Sequence, residues 1–497
     1  MRFTILFGGK AGQGPNILST ILGQALVKEG YYVFVSRDYQ SLIRGGHNFN
    51  VLTFSDSPIS SNDSVIDILV ALDENTINLH KKDLKKDGNI ISGEGKGNMY
   101  FAGRLFKIMC IDFKILEEQL RKLKEKFEEN IKLAKEGYEE EKKVACRVVY
   151  KKKNFYYTNG NKGVSEGAIK SGLDVYYAYP MTPATNVISE LAEKQIENNI
   201  LVLELESEIA VINSAIGSAI TGAKAMIGTS GGGFDLMTEA LSLVGMAEVP
   251  LVIYLASRPG PSTGVATYTA QGDLSMALHA GHGEFNRVVV APGDPKEAEE
   301  LTSQAFYFSQ KFKIPVIVLS DKHLAECFYT LEEKGTITAS KKSTSLKRYN
   351  SYEQDEFGSA TEDPEKIKKN VLQRINIGKE IEKEVGKFKE YSVYGKKDSS
   401  NVIVSFGSTK GAVVDAIKGL NCVFVQILYL EPFQKDIKKY FKDKNVILVE
   451  NNATGQLGKL IAEKTGFFIP ENNKILRFDG RPFLADELRE EIQKRLK

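Results

Sequence analysis

Short apolar runs rich in β-branched residues recur between residues 175 and 319, and turns rich in glycine, proline or polar residues follow most of them. Helical patterns lie between these runs, and this alternation is typical of parallel α/β layers. Because ligands of open parallel sheets bind at the carboxyl ends of strands, such turns predict a binding site at that edge. Ordinary turn chemistry is the competing interpretation. The predicted strands are Val175–Tyr179, Val202–Leu205, Ala225–Thr229, Leu251–Ala256, Val288–Val290 and Val316–Leu319.

The same alternation extends towards both ends of the 497-residue chain and predicts an α/β protein with three parallel-sheet domains. Two charged stretches, residues 117–153 and 331–397, separate these domains. We interpret the first as a solvent-facing helix with a connector, and the second as a linker in which Asp363 and Pro364 open a charged helix. Further strands are predicted at Phe3–Phe7, Tyr32–Ser36, Val402–Phe406, Val423–Tyr429 and Val446–Val449.

The charge balance excludes some classes of function. Lysine and arginine total 66 and aspartate and glutamate total 64. The resulting net charge of +2 is too small to favour a nucleic-acid or membrane-surface partner. No apolar run approaches the roughly 20 residues that span a bilayer, and no signal-peptide pattern is present. We therefore expect a cytoplasmic protein with neither nucleic-acid nor membrane partners.

The four cysteines lie far apart in the sequence and include no CxxC pair. This spacing predicts buried thiols in a reducing compartment. It also indicates that the chain alone holds no iron–sulfur cluster. The four positions are Cys110, Cys146, Cys327 and Cys422.

Glu208 follows the second predicted strand of the central segment and lies in the first turn of a predicted helix. A carboxylate gains there from the positive end of the helix dipole. Small residues recur along one face of this helix, which allows a close approach by another element. An acidic residue at a helix start is also common without any function, and that interpretation stays open.

Two further turns of the central segment suggest ligand contacts. Thr229, Ser230, Gly231 and Gly232 form a flexible, amide-rich turn whose backbone could lie against a flat ligand or a phosphate. Arg258 precedes a turn with two prolines and two glycines, which would hold its guanidinium in place. A fixed guanidinium suits a carboxylate, although a surface salt bridge is the alternative.

The first segment carries two glycine-rich turns. The stretch from Gly8 to Gly14 is neither a P-loop nor a dinucleotide fingerprint, although amides at that helix start could hold a phosphate. The second turn joins glycines to a cation and ends at His47, which we interpret as a structural histidine. The candidate cofactor-binding residues in this second turn are Ile43, Arg44, Gly45 and Gly46.

Taken together, these motifs resemble the 2-oxoacid:ferredoxin oxidoreductases, in the form of the large subunit that fuses gamma and alpha parts. The resemblance covers nearly the whole chain, and the YPMTPAT and RPGPSTG motifs at this spacing are highly specific. The matching stretches are Gly8–Gly14, Ser41–Gly46, Tyr179–Thr185, Glu206–Ala210, Arg258–Gly264, Gln271–Asp273, His282–Phe285 and Asp479–Phe483.

The resemblance implies a domain order. Residues 1–153 would form a gamma-type domain with a charged helical connector, and residues 154–330 the pyrimidine-binding domain for thiamine diphosphate. Residues 331–397 would be a linker with a charged helix, and residues 398–497 a transketolase C-terminal-like domain.

The resemblance also implies roles for individual residues. Glu208 would contact the aminopyrimidine ring of thiamine diphosphate, and Thr182 and Arg258 would contact the substrate's carboxylate and carbonyl groups. The gamma-type domain would help to enclose coenzyme A. A separate beta subunit would share the thiamine diphosphate and would carry Mg²⁺ and a [4Fe–4S] cluster, because the Gly-Asp…Asn signature of diphosphate binding is missing from this chain.

The implied activity is the coenzyme A-dependent oxidative decarboxylation of a 2-oxoacid with reduction of ferredoxin. The fused form favours 2-oxoglutarate or a broad range of 2-oxoacids. An indolepyruvate-type oxidoreductase and a non-redox transketolase-like carboligase are alternatives. A nucleotide- or NAD-binding regulatory module and an inactive assembly subunit are alternatives from other classes.

Overall fold

The computed structural model describes residues 2–40, 46–93, 95–123, 126–144, 148, 153–343 and 348–497. Three β-sheets with flanking helices are distributed over two compact units. The first unit comprises Met1–Thr158, Glu326–Lys334 and Phe483–Glu490, and the second comprises Asn159–Ala325, Gly335–Pro482 and Glu491–Lys497. This arrangement confirms the predicted α/β fold class with three sheets.

The first sheet has seven strands and is mixed rather than wholly parallel. Strand Arg2–Lys10 pairs in parallel with Ile66–Ala71 on one side and antiparallel with His47–Ser55 on the other. The predicted strands near Phe3 and Tyr32 are therefore confirmed, but several neighbours were missed. The order across the sheet is Leu84–Ser92, Ile66–Ala71, Arg2–Lys10, His47–Ser55, Tyr32–Asp38, Phe328–Leu331 and Tyr156–Asn159.

Helices of the first unit cover this sheet. The predicted helix after the first glycine-rich turn runs over Pro15–Lys28, with Gly14 before it in the left-handed region. Leu18, Leu22 and Leu26 bury one face of that helix at helical spacing. The other helices are Glu74–His80, Asn98–Ile108, Phe113–Arg121 and Phe127–Glu140, with the 3₁₀ turn Lys81–Asp83.

The charged stretch after residue 117 is not simply solvent-facing. Helix Phe127–Glu140 packs so closely on Asn98–Ile108 that a Cβ on Gly103 would lie 1.9 Å from the carbonyl oxygen of Ala134. A Cβ on Gly137 would lie 2.1 Å from the carbonyl oxygen of Tyr100. The predicted solvent-facing helix therefore packs through one glycine-containing face, while its other residues are exposed or half-buried.

The cysteines also depart from their prediction. Cys110 lies on the surface and is disulfide-bonded, so it is not a buried thiol. Cys327 and Cys422 are free and buried, as expected. Cys146 lies outside the described residues.

The second sheet, in the second unit, contains the six strands predicted for the central segment. Their pairings with one another are parallel. Val252, Ile253, Tyr254 and Leu255 of the central strand are all fully buried, as in a parallel sheet covered on both faces. The order is Tyr429–Glu431, Val288–Val290, Pro315–Asp321, Leu251–Ser257, Ala225–Thr229, Val175–Ala178 and Leu201–Glu204.

Helices cover both faces of the second sheet. The longest, Pro295–Phe312, begins after Asp294, whose side chain accepts a hydrogen bond from the Glu297 amide at 2.8 Å. The others are Gly160–Lys170, Asn186–Asn198, Glu208–Ile220, Gly231–Leu236, Thr238–Ala247, Leu274–His279 and Lys322–Glu326.

The third sheet, also in the second unit, is parallel apart from one edge strand. The predicted strand Val423–Tyr429 divides in two, because Tyr429–Glu431 leaves this sheet and pairs antiparallel with Val288–Val290 of the second sheet. The order is Tyr391–Gly395, Val423–Ile427, Asn401–Phe406, Asn445–Glu450 and Lys474–Leu476.

The predicted charged helix runs over Pro364–Val385 with Asp363 as its N-cap. No helix in the described ranges is both long and apolar enough to cross a bilayer. The remaining helices are Thr409–Ala416, Gln456–Thr465 and Ala485–Gln493, with the 3₁₀ turns Lys435–Tyr440 and Glu471–Asn473.

A buried ionic cluster joins the second and third sheets. Lys410 contacts the carboxylates of Asp294 and Glu297, and Gln426 donates a hydrogen bond of 2.6 Å to Glu297. Burial alone would lower the pKa of Lys410, but the two carboxylates raise it well above its ordinary value. This cluster fixes the third sheet against the turn after Val288–Val290.

Candidate active site

The predicted site residues of the central segment lie on turns at the carboxyl edge of the second sheet. Thr182 follows Val175–Ala178, Glu208 follows Leu201–Glu204, and Arg258 follows Leu251–Ser257. Because parallel strands share one carboxyl edge, three turns that are distant in sequence meet there. The contacts below connect them.

Glu208 is the first residue of helix Glu208–Ile220, and the Ser207 hydroxyl caps this helix by accepting a hydrogen bond from the Ala210 amide at 3.3 Å. The Glu208 side chain is 5% exposed. No described residue donates a hydrogen bond to its carboxylate. Glu208 therefore keeps the hydrogen-bonding capacity of its carboxylate and is available to a ligand that brings a donor.

The predicted flexible turn at Thr229 is instead the start of a helix, Gly231–Leu236, and that expectation is wrong. Thr229 and Ser230 are fully buried, and the Ser230 hydroxyl has no hydrogen-bond partner among the residues described. A Cβ on Gly233 would lie 2.2 Å from Thr229 Oγ1 and 2.8 Å from Glu208 Oε1. Glycine is therefore required for this helix to approach Glu208.

Gly232 has open space beside it, since the nearest atom to an added Cβ would be the Ser262 carbonyl oxygen at 4.0 Å. The Glu208 carboxylate and an open glycine thus border the same helix start. A flat ring could lie against this backbone with its polar edge towards Glu208.

The Arg258 guanidinium is held from one side by the backbone of the first turn. Its Nη1 donates a hydrogen bond of 2.9 Å to the carbonyl oxygen of Thr182. Burial lowers the pKa of Arg258 and Asp273 opposes this effect, but an arginine keeps its charge in either case. Within the described ranges Arg258 forms no ion pair, which argues against the surface salt bridge.

Thr182 joins this group through its neighbour Met181, whose sulfur lies 4.0 Å from Thr229 Oγ1. Residues 181 and 182 thus contact both the Thr229 turn and Arg258. The contacts bring Thr182, Glu208, Thr229 and Arg258 together at one edge of the sheet.

Asp273 belongs to the same site, although sequence reasoning gave it no role. A Cβ on Gly231 would lie 2.7 Å from Asp273 Oδ2, so the carboxylate covers that glycine. Burial raises the pKa of Asp273, while the nearby Ser257 hydroxyl and Arg258 partly oppose this. Its place in the Gln271-Gly-Asp273 motif was the available signal.

The candidate residues of the first unit are only partly described. Ile43, Arg44 and Gly45 lie outside the described residues. Gly46 has φ +81°, and a Cβ there would lie 2.7 Å from Gln40 Oε1, so this position requires glycine.

His47, which follows this turn, pairs with His80 through their Nε2 atoms at 2.8 Å. Its Nδ1 is buried without a hydrogen-bond partner among the described residues, and burial lowers its pKa. The pair supports a structural role for His47.

The structure is an α/β fold with a candidate ligand site at the carboxyl edge of a parallel sheet, where the buried residue Glu208 and the half-buried Arg258 lie on turns rich in glycine. Comparisons with known proteins give the family. Residues 166–394 match a protein-family model described as pyruvate flavodoxin/ferredoxin oxidoreductase, thiamine diphosphate-binding. Residues 4–96 match a second family model, described as pyruvate ferredoxin/flavodoxin oxidoreductase.

A 2-oxoacid:ferredoxin oxidoreductase subunit alpha from Saccharolobus solfataricus is 30% identical, with 99% of this chain and 98% of that protein covered. A 2-oxoglutarate synthase subunit KorA from Archaeoglobus fulgidus is 32% identical, with 60% of this chain and 88% of that protein covered. The chain belongs to the alpha-subunit family of the 2-oxoacid:ferredoxin oxidoreductases, which are oxidoreductase enzymes.

A solved 2-oxoglutarate:ferredoxin oxidoreductase from Magnetococcus marinus, with 2-oxoglutarate, coenzyme A and succinyl-CoA bound, superposes with a TM-score of 0.90. The alignment covers 100% of both chains at 24% identity. This likeness shows that the whole chain shares that fold.

Proposed function

We propose that this chain is the subunit that binds the aminopyrimidine half of thiamine diphosphate and the 2-oxoacid in a coenzyme A-dependent 2-oxoacid:ferredoxin oxidoreductase. The observation that carries the proposal is Glu208, a buried carboxylate with no donor in the described part of the chain. The match of residues 166–394 to a thiamine diphosphate-binding family model supports the choice of cofactor.

The residues present fit the pyrimidine half of this cofactor. Glu208 would accept a hydrogen bond from a ring nitrogen, while the open backbone at Gly232 would lie against the ring. Bound thiamine diphosphate supplies the nucleophilic carbon and the electron sink for decarboxylation. The role of Glu208 is to hold a proton at the ring nitrogen.

Arg258 and Thr182 would bind the 2-oxoacid. The Thr182 carbonyl oxygen accepts one N–H of Arg258, so the remaining donors of the guanidinium are available for the substrate carboxylate. The Thr182 hydroxyl would donate to the 2-carbonyl oxygen. We favour 2-oxoglutarate or a broad range of 2-oxoacids, because relatives are named 2-oxoglutarate synthase and 2-oxoacid:ferredoxin oxidoreductase.

A second chain, the beta subunit, would complete the site and would carry Mg²⁺ and the [4Fe–4S] cluster that passes electrons to ferredoxin. The relatives' designation as alpha subunits supports such a partner. Apolar side chains near the site are exposed, with Ile209 at 53%, Leu236 at 55% and Val265 at 48%. Exposed apolar groups beside a site are typical of a surface that another chain covers.

Coenzyme A would be the acyl acceptor, and the gamma-type segment around Gly46 would help to enclose it. The bound coenzyme A in the Magnetococcus protein, which shares the fold, supports this assignment. Residues 1–153 are therefore proposed as the gamma-type domain and residues 398–497 as the transketolase C-terminal-like domain.

Co-purification with the natural partner tests the proposal. The complex should reduce methyl viologen when a 2-oxoacid and coenzyme A are both supplied, and a panel of 2-oxoacids should rank 2-oxoglutarate among the good substrates. Turnover without an electron acceptor would instead favour a carboligase. Preference for indolepyruvate would favour an indolepyruvate-type oxidoreductase. A complex inactive with every 2-oxoacid, but binding NAD in a calorimetric titration, would favour a regulatory module.

A further inference from the structure

Asn161 is a fully buried polar side chain next to the site, and the proposed function does not use it. Its Nδ2 donates a hydrogen bond of 3.1 Å to the carbonyl oxygen of Pro183, and its Oδ1 accepts one of 2.7 Å from the Tyr254 hydroxyl. The Pro183 carbonyl can only accept, so the amide nitrogen faces it and the amide oxygen faces Tyr254. Asn161 therefore joins a strand of the second sheet to the turn that carries Thr182.

The start of helix Gly160–Lys170 holds Asn161 in a fixed place. The Asn159 side chain caps this helix by accepting a hydrogen bond of 2.9 Å from a backbone amide of its first turn. A Cβ on Gly160 would lie 2.5 Å from the carbonyl oxygen of Leu324, so the two backbones are in close contact there. The amide of Asn161 thus extends from a backbone that both contacts fix.

The Thr182 turn is tied to strand Leu251–Ser257 at two points. The first is the chain of hydrogen bonds that runs through Asn161 to the Pro183 carbonyl oxygen. The second is Arg258, which directly follows this strand and donates a hydrogen bond of 2.9 Å to the Thr182 carbonyl oxygen. Because these carbonyls belong to consecutive residues, the two ties fix two successive peptide units of the turn.

Packing alone does not explain an amide at position 161. A buried amide costs free energy unless both of its ends find partners, whereas an apolar side chain could fill such a place without that cost. The amide is satisfied here by one residue of the sheet and by one carbonyl of the turn. What an apolar side chain could not do is hold the Pro183 carbonyl oxygen, and so the turn.

We propose that Asn161 is a positioning residue that holds the turn of Thr182 and Pro183 in place for substrate binding. With this turn fixed, the Thr182 hydroxyl and the Arg258 guanidinium keep the separation that one 2-oxoacid needs for its carbonyl and carboxylate groups. The inference rests on the proposed function, because it concerns how that substrate is held. It assigns Asn161 an effect on substrate binding and no contact with the reacting atoms.

The first test is Tyr254→Phe in the complete enzyme complex, which removes one hydroxyl and keeps the ring. We expect the KM for the 2-oxoacid to rise about threefold and kcat to change less than about twofold, because the Asn161 amide loses one of its two ties. Asn161→Ala, which removes both ties, should raise the KM about tenfold. An unchanged KM in both variants would overturn the proposal.

The affinity for thiamine diphosphate distinguishes a local effect from a general one. Glu208 lies on a different helix, which has its own cap at Ser207. In both variants the affinity of the complex for this cofactor should therefore stay within about twofold of wild type, as for independent sites. Loss of cofactor affinity in parallel with the rise in KM would show that the whole site is disturbed, and would contradict a role confined to the turn.

Tyr429→Phe is the matched control for packing. Tyr429 is another fully buried tyrosine of the second sheet, on the edge strand Tyr429–Glu431, and its hydroxyl donates a hydrogen bond of 2.5 Å to Gln304. It should lower the thermal stability about as much as Tyr254→Phe and leave the KM unchanged. Equal rises in KM for the two variants would show that the KM responds to any loosening of the sheet, and would overturn the proposal.

A double-mutant cycle tests whether Tyr254 acts through Asn161. In an Asn161→Ala background, Tyr254→Phe should raise the KM by less than about 1.5-fold, because the amide that it holds is gone. A rise of about threefold in that background as well would overturn the proposal. If Asn161→Ala does not assemble, Tyr254→Phe against Tyr429→Phe decides alone. If the wild-type complex turns over no 2-oxoacid, the proposed function itself fails, which is a different result from an active enzyme indifferent to Tyr254→Phe.

Discussion

Glu208 and Arg258 carry opposite charges, and each is only partly satisfied within the described part of the chain. The Glu208 carboxylate is buried without a donor, whereas Arg258 uses one N–H on the Thr182 carbonyl oxygen. Both groups thus keep hydrogen-bonding capacity at the carboxyl edge of the sheet. Capacity retained in a buried position is typical of groups that act on a ligand.

We expect Glu208→Gln to leave thiamine diphosphate bound but to lower the turnover of the complete complex at least about 100-fold, the range of a group that acts on proton transfer. Amide and carboxylate have similar shapes, so binding should persist while proton handling is lost. Steady-state kinetics and cofactor titration measure the two effects. Glu239→Gln, at the exposed first turn of Thr238–Ala247, is the control, and activity within a few-fold of wild type for Glu208→Gln would contradict the role.

Arg258→Lys should weaken 2-oxoacid binding, because a point charge replaces a planar fork. The expected loss in kcat/KM is about 1.5–3 kcal/mol, mainly through KM, as for hydrogen bonds to charged groups. Initial rates over a range of 2-oxoacid concentrations measure it. Arg121→Lys, at an exposed ion pair, should have no effect, and an unchanged KM in Arg258→Lys would show that Arg258 points elsewhere.

At this scale Glu208 and Arg258 became candidates because each follows an apolar strand within a few residues, which is a local pattern, whereas the role of Thr182 was implied by the family resemblance. Asp273 escaped prediction because its burial depends on contacts between residues distant in sequence. Gly231 lies beneath its carboxylate, and Asn451 anchors the backbone two residues before it. The Gln271–Asp273 motif was a local signal for this position, but it says nothing about which residues bury the carboxylate.

At the scale of elements, helix Gly231–Leu236 controls the space around Glu208. We expect Gly233→Ala to lower the free energy of unfolding by about 1–3 kcal/mol, the range for overpacking. Because a Cβ there would meet Thr229 Oγ1 at 2.2 Å, a neighbouring side chain must move, and turnover should fall at least about tenfold, or about 1.4 kcal/mol. Thermal unfolding and kinetics measure both.

Gly386→Ala is the matched control, since a Cβ there would meet nothing nearer than 3.5 Å. It should leave turnover unchanged. Equal turnover of Gly233→Ala and wild type would show that the helix tolerates a side chain beside Glu208.

Lys410 is the cation between the turn of Asp294 and the third sheet. Lys410→Met should destabilise the protein by about 3–5 kcal/mol, because it leaves the buried Glu297 carboxylate and the partly buried Asp294 carboxylate without their cation. Denaturant unfolding of the second unit would record the loss. Lys494→Met, at an exposed pair with Glu491, should cost less than about 1 kcal/mol, and equal effects of the two variants would show that the buried cluster is not stabilising.

Elements were predicted best where burial is continuous. The central strands of the second sheet, such as Leu251–Ser257, are buried along their whole length and largely apolar, so their sequence alone identifies them. Strand His47–Ser55 was missed because it buries polar side chains such as Asn50, which donates hydrogen bonds to Asn16 and Ser19 on a helix. Strand Tyr429–Glu431 was joined to its predecessor because the change of sheet depends on a distant partner.

At the scale of the whole molecule, the two units offer different parts of one proposed activity. The second unit contains the buried carboxylate and the fixed guanidinium, and the first contains the constrained glycine of the segment proposed for coenzyme A. Neither carries the Gly-Asp…Asn signature for a diphosphate. The chemistry proposed for this chain therefore requires groups from a second protein.

We expect the chain purified alone to be colourless and iron-free, and to catalyse neither 2-oxoacid decarboxylation nor viologen reduction. A [4Fe–4S] cluster needs about four thiolates. Of the cysteines that the structure describes, Cys110 is already in a disulfide, and the free Cys327 and Cys422 lie in different units. The diphosphate and its metal ion would likewise lack ligands without the partner.

The measurements are the absorbance at about 400 nm, where such clusters absorb, the iron content, and 2-oxoacid-dependent viologen reduction. Addition of the purified partner chain should restore the reduction, whereas an unrelated protein at the same concentration should not. If the partner chain covers the exposed Ile209, Leu236 and Val265, a charge placed on that surface should weaken its binding. Ile209→Asp should therefore weaken reconstitution without unfolding the chain. A brown, iron-containing and active preparation of the single chain would show that it needs no partner. It would also contradict the proposal that a beta subunit covers the exposed apolar surface.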